Sequence, residues 1–149
     1  MPGFATVGRC MTAKAFVDSN ILIYAHNADA GVKHRAAATV LRELWESRNG
    51  CLSTQVLQEF YVNVTRKIKH PLARASAREI VRSYALWVKE PITATIVLRA
   101  SELEEAARLS FWDSLIVASA EAQHVTELLS EDLQHGQVIA GVRVRNPFL

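Results

Sequence analysis

Apolar residues follow two rhythms along this chain: short unbroken runs, and longer stretches in which they recur at helical spacing. Ala13 to Val17 is a short run ending at Asp18-Ser19-Asn20, the pattern of a buried strand that stops at a polar turn. Ile21 to Ala25 is expected to follow as a short helix, with Ser19 or Asn20 as its cap. From His34 to Ser47 the residues Ala37, Val40, Leu41, Leu44 and Trp45 recur at helical spacing, and Asn49-Gly50 signals a stop. Cys51 to Ser53 reads as a second strand. A helix capped by Ser53 or Thr54 should run from there to about Lys69, where His70-Pro71 ends it. Ala73 to Val88 predicts another helix, and a short strand is expected around Ile92 to Ala94. Helices over Ile96 to Leu109 and Asp113 to Gln123 come next, then strands over Val125 to Leu129 and Val142 to Val144.

Short apolar strands alternating with longer helices predict a three-layer α/β/α sandwich around a mainly parallel sheet. The length of 149 residues suits one domain, read as spanning 13–149. Residues 1–12 have no periodicity, contain Pro2, Gly3 and Gly8, and read as an N-terminal extension in which Met11 offers a second start. Half of the residues are hydrophobic and 21% are charged, enough apolar content to fill a core without disulfide or metal staples. No stretch reaches the roughly 20 apolar residues of a membrane helix. The start of the chain lacks the apolar core of a signal peptide, so a cytoplasmic location and no membrane partner are expected. Cys10 and Cys51 match no zinc or redox spacing and are expected as free thiols.

The net charge of +2 says little about partners, but its distribution is polarised. Seven basic residues against one acid lie between Arg66 and Lys89, and eight acids against two arginines lie between Arg99 and Asp132. Such a chain can hold a polyanion on one side and a cation on the other; two solvated helix faces would look the same. Arg74, Arg78 and Arg82 recur every four residues and form a basic stripe. That stripe suits RNA phosphates, an acidic partner segment or plain solvent equally well.

Ligands of open parallel sheets bind beyond the carboxyl ends of the strands. Asp18 directly follows the first strand, and Ser130-Glu131-Asp132 lies just past the strand ending at Leu129. Taken alone, Asp18 reads equally as a turn or capping residue. Glu59 should flank an apolar stripe of Val56, Leu57, Phe60, Tyr61, Val64 and Ile68, together with Asn63 and Arg66 four and seven positions on. Asp113 opens a segment apolar almost all round, and by itself reads as a helix cap or first-turn acid. None of the five histidines stands near an acid at a metal-like spacing. Trp45, Trp87 and Trp112 read as core or interface anchors rather than base-stacking platforms.

Four segments together resemble the PIN-domain nucleases, in particular the small VapC-type toxins of bacterial and archaeal toxin–antitoxin systems. They are Phe16-Val17-Asp18-Ser19-Asn20-Ile21-Leu22-Ile23-Tyr24-Ala25, Ser53-Thr54-Gln55-Val56-Leu57-Gln58-Glu59-Phe60, Phe111-Trp112-Asp113-Ser114-Leu115-Ile116-Val117-Ala118-Ser119-Ala120, and Leu129-Ser130-Glu131-Asp132-Leu133. With the closing Val144-Arg145-Asn146-Pro147-Phe148, the resemblance covers Ala13 to Phe148. It implies a ribonuclease that hydrolyses RNA phosphodiester bonds at a site of four acids, Asp18, Glu59, Asp113 and Asp132. Carboxylates crowd together only around a cation, and the implied one is Mg²⁺, with Mn²⁺ as a substitute. Asp18 and Asp113 would be the main ligands, with Asn20 and Ser130 holding the acids in place. The implied partners are an RNA held by Arg66, Arg74, Arg78 and Arg82, a cognate antitoxin protein, and a second copy in a homodimer. The alternative is a catalytically silent PIN fold that binds RNA or protein. A phosphoacceptor or phosphatase domain fits less well, because no Lys occurs beyond Lys89.

Overall fold

A computed structural model describes residues 13–149; the expected extension at 1–12, with Cys10 and Met11, lies outside the described residues. The first apolar run forms strand β1 (Ala15–Val17), whose three side chains are all fully buried. A strand covered on both faces belongs in the middle of a layered fold, and β1 lies inside a five-stranded sheet. Strand β2 (Gly50–Cys51) flanks it on one side and β3 (Glu127–Leu129) on the other, both parallel to it. Beyond β3, parallel β5 (Val142–Arg145) pairs with the antiparallel edge strand β4 (Val138–Ile139). The expected α/β/α sandwich with a mainly parallel sheet is therefore the architecture, built among the described residues with six α-helices.

Those helices are α1 (Ser19–Ala25), α2 (Val32–Ser47), α3 (Thr54–Val62), α4 (Arg74–Tyr84), α5 (Ala94–Ala107) and α6 (Phe111–Ala122). Helix α1 packs on both α2 and α3, α3 packs on α4, and α5 packs on α6. Ser114 through Ala120 of α6 are all buried, as an apolar circumference requires. Phe16, Phe60, Ile21, Leu22, Leu44, Ile116 and Leu128 are among the large, fully buried side chains of the core. No helix among the described residues is long and apolar enough to cross a membrane. Cys51 is a buried free thiol, and burial raises its pKa.

Several boundaries differ from the pattern-based expectation for identifiable reasons. Helix α1 is capped by Asp18 itself, whose Oδ1 accepts from the Ser19 N–H at 2.7 Å, rather than by Ser19 or Asn20. Helix α2 closes at Ser47 as expected, with left-handed Arg48 as its cap, but starts at Val32, two residues before the expected His34. The short strand expected around Ile92 to Ala94 does not form. Thr93 instead caps α5, and Val88 makes the extra pairing, a parallel bridge to Leu52. Buried Gln123 secures that junction, accepting from Lys89 N at 3.3 Å and donating to the Leu52 carbonyl at 3.2 Å. Trp87 belongs to the core and Trp45 packs against it at 4.6 Å, but Trp112 is 63% exposed and is not a core anchor.

Candidate functional site

Strand register decides which polar groups meet. Val17 pairs with Leu129, so the next residues on the two parallel strands, Asp18 and Ser130, emerge side by side at the carboxyl edge. The Asp18 N–H donates to the Leu129 carbonyl at 3.0 Å, and the Ser130 N–H to the Arg145 carbonyl at 3.1 Å. With both backbones fixed, the Ser130 hydroxyl donates to Asp18 Oδ2 at 2.7 Å and accepts from the Asp132 N–H at 3.1 Å. Asn20 completes the set. Its amide nitrogen lies 3.0 Å from Asp132 Oδ2 and 3.3 Å from Asp18 Oδ2, while its amide oxygen accepts from the Glu131 N–H at 3.3 Å.

Between the neighbouring acids Glu131 and Asp132, the geometry distinguishes clearly. Glu131 is held by Lys33 at 3.0 Å, whereas Asp132 turns its carboxylate to Asn20 and the Asp18 side. Lys33 also lies 5.1 Å from the Tyr24 ring centroid and 5.5 Å from that of Phe148. The loop carrying Ser130 and Asp132 is thus fastened to α2 and to the chain's last residues.

Helices α3 and α6 bring the other two acids. Ser110 caps α6, its Oγ accepting from the Asp113 N–H at 3.1 Å, so Asp113 is a first-turn acid and not the cap. Gln55, in the first turn of α3, donates from Nε2 to the Trp112 carbonyl at 3.2 Å and lies 3.5 Å from Glu59 Oε2. One amide therefore ties the Glu59 side chain to the backbone just before Asp113. Gln55 was legible as the i−4 neighbour of Glu59 on a helix, whereas no local signal marks Lys33.

Burial pushes the Asp18 carboxyl up to about 7. The Ser130 hydroxyl and Ser19 N–H pull it down, while Asp132 and Glu59 push it further up. None of these influences is basic. Asp113 is likewise raised, first by burial, against the Ser110 hydrogen bond, with Asp132 again adding repulsion. These couplings link Asp18 with Glu59 and Asp132, and Asp132 with Asp113. Glu59 and Asp113 are half-buried and Asp132 is exposed. Among the described residues, no three Asp, Glu, His or Cys side chains form a group that could hold a metal ion as they stand.

The basic residues are placed differently from the acids. A π-helical turn over Asn63–Lys67 interrupts the helical spacing on which the shared flank of Glu59, Asn63 and Arg66 rested. Asn63 donates to the Glu59 carbonyl rather than to its carboxylate, and Arg66 is exposed. Arg74, Arg78 and Arg82 are exposed on α4, with Arg82 paired to Glu79 at 3.2 Å. Arg78 rims an apolar groove of about 340 Å³ lined by Leu57, Tyr61 and Val81, which touches none of the four acids.

The pattern of the PIN domain matches residues 15–139. The chain belongs to the PIN domain family. Its PIN fold is shared with solved structures at identities too low to show more than the fold. A toxin–antitoxin complex from Klebsiella pneumoniae aligns at a TM-score of 0.65 and 20% identity, covering 90% of this chain and 98% of that one. VapBC2 from Rickettsia felis, bound to a DNA fragment from its promoter, aligns at 0.58 and 18%, covering 89% and 97%. The sarcin–ricin loop cleaving toxin VapC20 of Mycobacterium tuberculosis aligns at 0.58 and 22%, covering 87% and 99%. No curated protein matched the sequence.

Proposed function

We propose that this PIN-domain chain is a metal-dependent ribonuclease, the toxin of a toxin–antitoxin pair, working through Asp18, Glu59, Asp113 and Asp132. One observation carries the reading. A carboxylate only 3% exposed stands at the open edge of the sheet, coupled to two other acids and with no basic group among its main influences. A buried anion in acidic company is costly unless a cation joins it.

The donors fit a hard divalent cation such as Mg²⁺ or Mn²⁺, since all four acids offer oxygen. Mg²⁺ keeps several waters and often takes only one or two carboxylates directly, so a tight three-acid cluster is not needed. Gln55 Oε1 and Ser114 Oγ, beside Glu59 and Asp113, are buried without a protein partner and can accept from water held there. Asp18 and Asp113 are the proposed ligands, with Glu59 and Asp132 completing the site directly or through water. When bound, the cation supplies an activated water and neutralises charge growing on the phosphate. Ser130 and Asn20 keep the Asp18 oxygens aimed at that position, and Gln55 does the same for Glu59. Arg66, Arg74, Arg78 and Arg82 are proposed to hold RNA by its phosphates, which makes binding fall steeply with salt. The fold's likeness to toxins solved in complexes supports an antitoxin partner, and a homodimer and cytoplasmic location complete the proposal.

The deciding experiment incubates the purified protein with structured and unstructured RNA in Mg²⁺ or Mn²⁺, then in EDTA. Cleavage with either metal and none in EDTA is expected; cutting that persists in EDTA removes the metal from the mechanism. Failure to cut any RNA would favour a silent binding fold. A second prediction concerns Ser130→Ala, which removes the hydrogen bond that most lowers the Asp18 pKa. A hydrogen bond to a charged group contributes about 1.5–3 kcal/mol, so the acidic limb of the pH–rate profile should move up by about one unit or more. An unmoved limb means that Asp18 does not govern it.

A further inference from the structure

Trp112 directly precedes Asp113 in the first turn of α6, and its indole is 63% exposed. Its backbone is fixed where the acids are fixed: Gln55 Nε2 reaches the Trp112 carbonyl at 3.2 Å and Glu59 Oε2 at 3.5 Å. Phe111 stands edge-on to the indole, with ring centroids 5.3 Å apart. The other two tryptophans pack on each other at 4.6 Å, and Trp87 is buried. Trp112 is thus the most exposed of the three, at 63% against 37% for Trp45, and its backbone adjoins Asp113 and, through Gln55, Glu59.

An RNA strand entering this edge meets a difficulty. Asp113 and Asp132 repel one another, and the same field repels phosphates. Grip close to the acids must come from an uncharged surface, and an aromatic face suits any base. We propose that Trp112 is a stacking platform for an unpaired nucleobase next to the scissile phosphate, so that the chain selects RNA that is single-stranded or looped at the cut. In a duplex each base is already stacked, and only loops, bulges and ends can offer one. The inference rests on the ribonuclease reading above.

Binding of a short single-stranded RNA labelled at one end, measured in EDTA where no cleavage is expected, tests it alongside cleavage in Mg²⁺. Trp112→Ala should weaken binding and lower kcat/KM about tenfold, as loss of one stacked base does. Trp112→Phe, which keeps a ring, should recover most of both. An oligonucleotide with one abasic position at the cut should lower wild-type binding by a similar factor, and Trp112→Ala should then add little. The thermal midpoint should stay unchanged in both variants, because the side chain is exposed. If the wild type cuts RNA while Trp112→Ala binds and cuts as well, the platform is overturned and the nuclease stands. Loss of self-association or of binding to another protein in Trp112→Ala, with RNA binding intact, also overturns it and marks a protein contact. A wild type that neither binds nor cuts RNA overturns both readings.

Discussion

Replacing Asp18 with Asn should abolish RNA cleavage and, in the absence of metal, make the protein more stable at about pH 8. The first effect follows from losing a proposed metal ligand; a drop of a thousandfold or more is the expected order for a group central to metal catalysis. The second follows from linkage. The folded-state pKa of Asp18, about 7, lies above its ordinary value of 3.8. Its stabilising contribution is therefore fully present below pH 3.8 and is lost as pH rises to about 7. A gap of about three units corresponds to roughly 4 kcal/mol of instability carried by the ionised form. Asn does not ionise, and its side-chain oxygen can still accept from the Ser19 N–H. The metal-free melting midpoint should fall between about pH 4 and 7 for the wild type, and much less for Asp18→Asn. Adding Mg²⁺ at pH 8 should raise the wild-type midpoint and leave the variant's in place. A variant less stable than wild type at pH 8 without metal would show that Asp18 is not an uncompensated buried anion.

The second large effect is expected on β2, where Gly50 pairs with Ala15. A Cβ placed on Gly50 would lie 2.6 Å from the Trp87 ring. Trp87 is 3% exposed and wedged between Trp45 and Tyr84, with centroids 4.6 and 5.1 Å away, so its ring has nowhere to retreat. Gly50→Ala should destabilise by about 2–3 kcal/mol through overpacking, lowering the melting midpoint on the order of 5–10 °C. Near-ultraviolet dichroism should change with it, because the tryptophan cluster must rearrange. Adding Trp87→Leu should cost less in the Gly50→Ala background than alone, the mark of a shared contact. Simple additivity of the two would place the ring elsewhere.

Gly50 also shows why parts of this molecule could not be read from its sequence. Asn49-Gly50 has the look of a helix stop, yet the glycine is needed because an indole from far along the chain occupies the space of its side chain. Long-range packing leaves no local trace. The same applies to Val88 pairing with Leu52, which displaced the strand expected after Pro91. The π-helical turn at Asn63–Lys67 is a third case, since apolar periodicity assumes a regular helix. What was legible obeyed local rules. The buried strand before Asp18 and the all-apolar α6 show their burial in composition alone. At the site, Asp18, Asn20, Ser130 and Asp132 were each visible in sequence. Their hydrogen bonds depend on the register of β1 against β3, which sequence does not print.

That register bears on when the edge comes into being. Asp18 and Ser130, which share a 2.7 Å hydrogen bond, are 112 residues apart in the chain. The strand that brings Ser130 to Asp18 is made long after β1, and it fills one side of β1. During synthesis, a growing chain carries Asp18 with an unpaired neighbour position until β3 leaves the ribosome. The cluster of Asp18, Asn20, Ser130 and Asp132 cannot form before residue 132 is available, so a product released earlier lacks the assembled edge. Whatever chemistry these acids perform, translation withholds it until residue 132 has been made.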